Sequence, residues 1–600
     1  MRILLLSSAY NSLTQHAHVE LKSRGHFVGV ATATKSQEMR QAVDQFRPGL
    51  ILCPMLAQVI PRDLWERYPC LILHPGIVGD RGGNSLDWAI LNQEPEWGVT
   101  VVQAAEHVDS GPIWATYRCK LRQGSKSSLY RDEITAAAVK AMMVAVQRFE
   151  HGLFAPTPLD YSQANVRGRY RPLIAPEQRR IDWSSDPVAT IVRKIRSADG
   201  APGVLDEIAG DSVYLYGAHE EGRLVGKPGE IIAKRHGAIC RAAVDGAVWI
   251  SHLRRAGGIE GEYFKLPATD VLGERLAQVP EVPLPISSVT RFKTYRDIWY
   301  EERNGIGYVN FRFHNGAMGT DHCRRLTDAV LHARQRPTRV LVLMGGRDFW
   351  SNGIHLNLIE AADDPAEESW RNINAMDDLV HAILTATDRL TVAALYGSAG
   401  AGGVMMALAA DRVLAREGIV LNPHYKGMGG LYGSEYWTYS LPKRVGPEKA
   451  SELTEQCLPI SVHEAQAIGL IDDVILQDDL HDGRFRQFRD QISRIAEKLS
   501  RDPRYGTWLA EKQARREQDE RLKPLEQYRR EELEEMKKNF WGEDRSYHLA
   551  RTAFVRKQPR PGHLKCYATL DSACGNESCA ETRRTATNRC AYAHAGWSDG

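Results

Sequence analysis

Twice along the chain, short apolar runs alternate with amphipathic segments, and this rhythm restricts the fold more than any other feature. Residues 3–6, 27–31, 50–53 and 71–73 are apolar but too short to be helices, and residues 36–45 between them carry their apolar positions at helical spacing. Strands and helices in alternation predict βαβ units on a parallel sheet. The texture returns at 307–313, 340–344 and 392–395, followed by an apolar helical stretch at 402–410.

The residues between the two regions read differently. IDWSSDPVATIVRKIRSA predicts a helix, and PGEIIAKRHGAICRAAVDGAVWISHL breaks into short alternating strands at the turn signals His236-Gly237 and Asp245-Gly246. These features predict a small β-barrel, and Pro280, Pro283 and Pro285 mark a linker after it. A chain of 600 residues exceeds one hydrophobic core. The expected organisation is α/β: a Rossmann-like domain over 1–164, an OB-like barrel over 165–285, a second α/β domain with C-terminal helices over 286–555, and an atypical tail over 556–600.

Charge narrows the partners. Lys plus Arg number 77 against 75 Asp plus Glu, so there is no net field to hold nucleic acid or an anionic membrane, and small molecules or another protein are expected. The opening MRILLLSSAY is too short for a secretory or transmembrane segment and reads as a buried first strand. Cys53, Cys70, Cys119, Cys240, Cys323 and Cys457 stand singly in apolar surroundings, the pattern of reduced thiols and a cytoplasmic address. Cys566, Cys574, Cys579 and Cys590 crowd the end without the paired two-residue gaps of zinc sites, so no metal is expected. The charged segment 511–538, interrupted by Pro524, reads as a solvated or intersubunit helix.

Two stretches carry the chemistry. In LILHPGIVGDRGGNSLDWAI, His74 follows a buried strand and precedes a glycine-rich turn, where α/β folds place their ligands. The first strand–helix turn, SSAYNSLTQ, has no GxGxxG, so a dinucleotide is not implied. Downstream, WGVTVVQAAEHVDSGPIWA offers Asp109 on a loop, and a carboxylate beside an imidazole suits proton transfer. The order of His-Pro-Gly, Arg81-Gly82, Trp88-Ala89-Ile90 and Asp109-Ser110-Gly111-Pro112-Ile113 resembles the formyltetrahydrofolate-dependent transferases and hydrolases over about residues 1–285. That resemblance implies catalytic roles for His74 and Asp109, and a folate-binding region at Arg81, Gly82 and Asp109. The family has Asn two residues before the His, whereas this chain has Ile72, so the donor that polarises the formyl oxygen must come from elsewhere.

The second stretch combines RVLVLMGGRDFWSNGIHLN and VAALYGSAGAGGVMMALAADRVL, two glycine-rich turns that lead into helices, with the later AQAIGLIDDV. Together they resemble the crotonase (enoyl-CoA hydratase/isomerase) superfamily over about residues 295–480. The resemblance implies an oxyanion hole built from the backbone N–H groups of Ile354 and Gly402. The positions matching the hydratase acids hold Met405 and His424, which disfavours simple hydration. NPHYKGMGGLYGSEYWTYS supplies His424, Tyr425, Tyr432, Glu435 and Tyr436; Glu435 is the candidate base, with Tyr425, Tyr432 and Tyr436 as donors.

The fusion of these modules is similar to a family of hydrogenase maturation factors. That resemblance implies formyl transfer from N10-formyltetrahydrofolate to coenzyme A, then decarbonylation of formyl-CoA to carbon monoxide for the iron of a nickel–iron hydrogenase. Other maturation proteins or the hydrogenase large-subunit precursor are the implied protein partners. Two alternatives stay open on the sequence: a formyltetrahydrofolate hydrolase or formyltransferase with an appended acyl-CoA enzyme, and a non-catalytic scaffold that binds hydrogenase precursor.

Overall fold

A computed structural model describes residues 1–33, 35–477, 483–558 and 564–565. The first apolar run forms strand Arg2–Ser7, which pairs in parallel with Phe27–Thr32 on one side and Leu50–Cys53 on the other. Cys70–His74 continues the parallel set, and Glu96–Gln103 and Ile113–Lys120 then add two antiparallel strands. The sheet is therefore mixed, because a hairpin joins those last two strands where a parallel pair would need a crossover. The backbone of Leu564–Lys565 pairs with Phe27–Thr32 at the other edge. Helices Ser12–Ser23 and Thr135–His151 bury Leu13, Ala17, Leu21, Ala141 and Ala145 on one face, and Ser36–Phe46 buries Met39, Val43 and Phe46 on the other.

The second unit is an antiparallel sheet in the order Val204–Ile208, Asp211–Glu221, Gly246–Arg255, Ala238–Ala243, Ile231–Arg235. His236 and Gly237 both have positive φ, as a two-residue hairpin matching the strand twist demands. Helix Val188–Ser197 packs Ile191, Val192 and Ile195 against this sheet.

The third unit has strands Ile298–Arg303, Ile306–Phe311, Val340–Met344, Leu390–Leu395, Arg412–Arg416 and Asp473–Ile475 in that spatial order, parallel after the first pair. Helices Thr320–Arg334 and Pro365–Leu384 cover one face, and Arg484–Arg501 and Tyr505–Leu522 cover the other. The charged segment differs from its reading as a solvated helix. It splits at Pro524, and helix Leu525–Trp541 buries Leu525, Glu532, Leu533, Met536 and Phe540, an apolar stripe at helical spacing with one carboxylate in it.

The modules are bolted together. A π-helical turn, Tyr130–Ile134, carries Asp132 out of the first domain into a pocket of the third. There Asp132 accepts from Tyr396 Oη at 2.8 Å and from Arg484 and Arg416 at 2.6 and 3.3 Å. Arg131 donates to Asn315 Oδ1 at 3.0 Å, and Asn422 donates to Gln15 at 3.1 Å. The six singly placed cysteines are buried free thiols, and the four terminal ones lie outside the described residues. Among the described residues no helix is long and apolar enough to cross a membrane.

Candidate functional site

His74 is the last residue of strand Cys70–His74, and its ring lies between two carboxylates. Nδ1 is 3.3 Å from Asp109 Oδ2, and Nε2 is 3.2 Å from Asp80 Oδ2, so a proton on either ring nitrogen has an acceptor. Asp109 sits at φ 54° on its loop and accepts from the N–H of Gly82 at 3.3 Å. Arg81 directs its guanidinium to the carbonyl of Val108 at 2.9 Å, which pins the Asp109 loop against the glycine turn.

Asp80, which the sequence reading did not single out, is as firmly held. It accepts from Arg171 Nε at 2.8 Å and from the Ser85 hydroxyl, and its side chain is wholly buried. Gly76 is required beside them, since a Cβ there would lie 2.4 Å from His74 Nε2. Ile72 lies on the same strand, partly buried against the apolar cluster that includes Ile51, Leu64 and Cys70, and contributes no polar group.

In the third unit, the turn after Val340–Met344 meets the turn before helix Gly402–Leu408 backbone to backbone. A Cβ on Gly353 would lie 3.2 Å from the nitrogen of Gly402, and a Cβ on Gly403 would strike the carbonyl of Ser351 at 2.1 Å. This contact brings the N–H groups of Ile354 and Gly402 together, and neither makes a hydrogen bond among the described residues. Two convergent N–H groups without acceptors, one at a helix start, suit an oxygen that gains negative charge.

Glu435 stands directly at this hole, because a Cβ on Gly402 would lie 2.3 Å from Glu435 Oε1. Its other oxygen accepts from the Tyr425 hydroxyl at 2.5 Å and from the N–H of Ser434 at 3.2 Å. Burial, then the charge of Asp377, raises the Glu435 carboxyl to about 8. Burial and the neighbouring Glu435 push the Tyr425 phenol well above its ordinary value, so it stays a hydrogen-bond donor.

A cavity of about 350 Å³ opens in front of the hole, with Ile354, Gly402, His424, Tyr425 and Glu435 in its wall. The barrel unit closes the far side with Tyr216, His252, Arg254 and Lys265. Burial lowers Lys265 to about 7; its Nζ donates to the Asp199 carbonyl at 2.7 Å and rests 4.3 Å from the Tyr216 ring. The structure thus groups Tyr425, Glu435, Ile354 and Gly402 but places the other two tyrosines elsewhere. Tyr432 packs on Trp437 with ring centroids 5.5 Å apart, and Tyr436 is buried in the core. Met405, at one hydratase-acid position, is a core residue.

The formyl transferase family matches residues 17–146, its C-terminal domain 173–262, and the enoyl-CoA hydratase/isomerase family 301–555. The hydrogenase maturation factor HoxX of Bradyrhizobium diazoefficiens is 46% identical over 560 residues, 93% of this chain and 95% of that protein. The crystal structure of HypX from Aquifex aeolicus in complex with tetrahydrofolic acid is 43% identical with a TM-score of 0.90, covering 96% of this chain and 100% of that one. A methionyl-tRNA formyltransferase of Geobacillus thermodenitrificans is 26% identical over 246 residues, 40% of this chain and 76% of that enzyme. With both modules matched in order and near-complete coverage on each side, the chain belongs to the HypX/HoxX family of hydrogenase maturation factors.

Proposed function

We propose that this chain makes carbon monoxide for the iron of a nickel–iron hydrogenase in two steps, formyl transfer from N10-formyltetrahydrofolate to coenzyme A and then decarbonylation of formyl-CoA. The observation that carries the reading is Glu435 lying against Gly402, a carboxylate whose proton affinity burial has raised, beside two N–H groups that make no hydrogen bond among the described residues. A hydratase would need an acid and a base across a double bond; a decarbonylase needs one base that takes a proton and returns it.

In the first step His74 takes the thiol proton of coenzyme A as sulfur attacks the formyl carbon, with Asp109 and Asp80 holding the imidazole. The C–N10 bond breaks, N10 gains the proton, and formyl-CoA and tetrahydrofolate result. In the second step the N–H groups of Ile354 and Gly402 hold the formyl oxygen while ionised Glu435 removes the formyl proton. The C–S electron pair leaves on sulfur, carbon monoxide departs, and Glu435 returns its proton to the thiolate. No proton is gained or lost overall.

Lys265, Arg254 and the apolar walls suit the charged and pantetheine portions of coenzyme A. Tethering the two sites limits hydrolysis of a reactive thioester. The product's destination implies the hydrogenase large-subunit precursor or another maturation protein as partner.

The test is anaerobic incubation of the protein with formyltetrahydrofolate and coenzyme A, following carbon monoxide by the spectral shift of a reduced haem trap. Release that depends on His74 and Glu435 supports both steps. Folate turnover to formate without carbon monoxide assigns the chain a hydrolase activity instead.

A further inference from the structure

Glu435 and Tyr436 form a left-handed elbow, at φ 64° and 57°, in which neither residue is glycine. Such a conformation persists only where the surroundings over-determine it. Two carboxylates supply that constraint. Asp377, on helix Pro365–Leu384, accepts from the N–H of Glu435 at 2.8 Å and from the Ser434 hydroxyl at 2.8 and 2.9 Å. Glu532, on helix Leu525–Trp541, accepts from the N–H of Tyr436 at 2.9 Å and from the N–H and hydroxyl of Thr438 at 2.8 and 2.5 Å.

The elbow is therefore pinned at each residue by a different helix, and the result is the placement of Glu435 Oε1 against Gly402. Electrostatics follows from the same geometry. Asp377, Glu435 and Glu532 are each at most 1% exposed, and Ser434 links them: its N–H reaches Glu435, while its hydroxyl reaches Asp377 and, at 3.3 Å, Glu532. Against these three acids stands one guanidinium, Arg529, whose Nε is 3.6 Å from Asp377 Oδ2 and whose Nη1 is shared with the more exposed Asp378. Around Glu435 the remaining titratable neighbours are Tyr425 and His424 on the cavity wall and Cys323 from helix Thr320–Arg334. Three buried carboxyls cannot all ionise against a single cation, so each one's charge governs how tightly the others hold a proton.

We infer that Asp377, backed by Glu532, is the positioning residue of the second site: it fixes the elbow that aims Glu435 and sets how strongly Glu435 holds the proton taken from the formyl carbon. This inference rests on Glu435 being the base of the second step. Asp377 itself reaches no cavity wall, so it acts through Glu435. Burial raises it to about 7, so its charge changes close to neutral pH.

The experiment follows protonated carboxyls of the full chain by infrared difference spectroscopy over pH, with Glu435→Gln used to assign the Glu435 band. In Asp377→Asn, whose amide oxygen still accepts from the Glu435 N–H, the Glu435 midpoint falls by about one pH unit or more. The pH profile of carbon monoxide release from formyl-CoA moves to lower pH by the same amount. A midpoint unmoved in a folded Asp377→Asn protein overturns the inference. Should that variant fail to fold, the unmodified chain decides: the C=O band of protonated Glu435 shifts in frequency as Asp377 ionises at lower pH, and a Glu435 band that does not shift before it titrates overturns the inference. A shifted Glu435 midpoint in a protein that releases no carbon monoxide from formyl-CoA sinks the decarbonylation reading and leaves the coupling intact.

Discussion

Arg484 donates to Asp132 at 2.6 Å across the boundary between the first and third units, although 352 residues separate them in the chain. Both side chains are buried, and Asp132 also takes hydrogen bonds from Tyr396 and Arg416. Removing one partner of a buried ionic cluster leaves uncompensated charge, which costs about 3–5 kcal/mol. Asp132→Ala should therefore lower the melting temperature and separate the unfolding of the first unit from that of the third. Differential scanning calorimetry checks this; one unchanged transition would show that the other contacts, Arg131 to Asn315 and Asn422 to Gln15 among them, hold the modules together without Asp132.

The double carboxylate on His74 predicts a selective defect. Asp80→Ala leaves Arg171 and the Ser85 hydroxyl without their acceptor and frees one side of the imidazole. Misplacement of a reacting group by about 1 Å costs roughly 100-fold in rate. Folate-dependent carbon monoxide formation should fall by that order, while release from added formyl-CoA stays near normal. Equal loss from both substrates would mean that Asp80 supports the whole fold rather than the first site.

Much of the first site was legible because its residues are local. His74 ends an apolar strand and Asp109 stands on a loop after one, and the folded chain brings their side chains within 3.3 Å. Asp80 lay inside the quoted HPGIVGDRGG stretch, but its contact with His74 depends on Arg171, which arrives from 91 residues downstream. In the second site, Glu435 and Tyr425 fall within one short segment. Asp377 and Glu532 come from helices on either side of it, and no spacing rule couples them to the elbow. Glu532 was hidden further by its setting, a dense charged segment whose composition suggests solvent, where the apolar stripe at 525, 533, 536 and 540 was the overlooked signal. Tyr432 and Tyr436 stand near Tyr425 in sequence, but Tyr432 packs on Trp437 and Tyr436 is buried in the core, and neither lines the cavity.

Tyr425 gives a prediction opposite in sign to that for Asp377. Its hydroxyl donates to Glu435 Oε2 and so favours the ionised carboxylate. Tyr425→Phe removes the donor, and the Glu435 carboxyl, already at about 8, should rise further. Release of carbon monoxide requires the ionised form, so the pH–rate profile should move to higher pH by about one unit, with slower turnover at pH 7. Stopped-flow trapping with reduced haem from pH 6 to 9 measures it, and a profile displaced toward acid would contradict this role for Tyr425.

The buried titratable groups also fix the pH at which the protein is most stable. Burial raises Asp377 and Glu133 to about 7 and Glu435 and Glu532 to about 8, from ordinary values of 3.8 and 4.5. Between those limits the folded chain holds protons that the unfolded chain has released, so stability is present at the acid end and is lost as pH rises toward 8. Burial lowers His18 and His355 to about 3, His16 and His322 to about 4, and His219, His252 and His314 well below 6.5; here the unfolded chain binds the extra protons, so stability is lost as pH falls below 6.5, and these seven histidines outnumber the four acids. The two slopes oppose each other between 4.5 and 6.5. Above 6.5 the acids lead, opposed from about pH 7 by Lys265, which burial lowers from 10.5 to about 7, and each unmatched proton contributes about 1.4 kcal/mol per pH unit. The melting temperature should therefore peak near pH 6.5 and decline to about pH 8, and Glu435→Gln, which carries no titrating proton at that position, should flatten the alkaline decline. A melting temperature that climbs from pH 6 to 8 would show that these acids are ionised in the folded chain, with additional cations offsetting them.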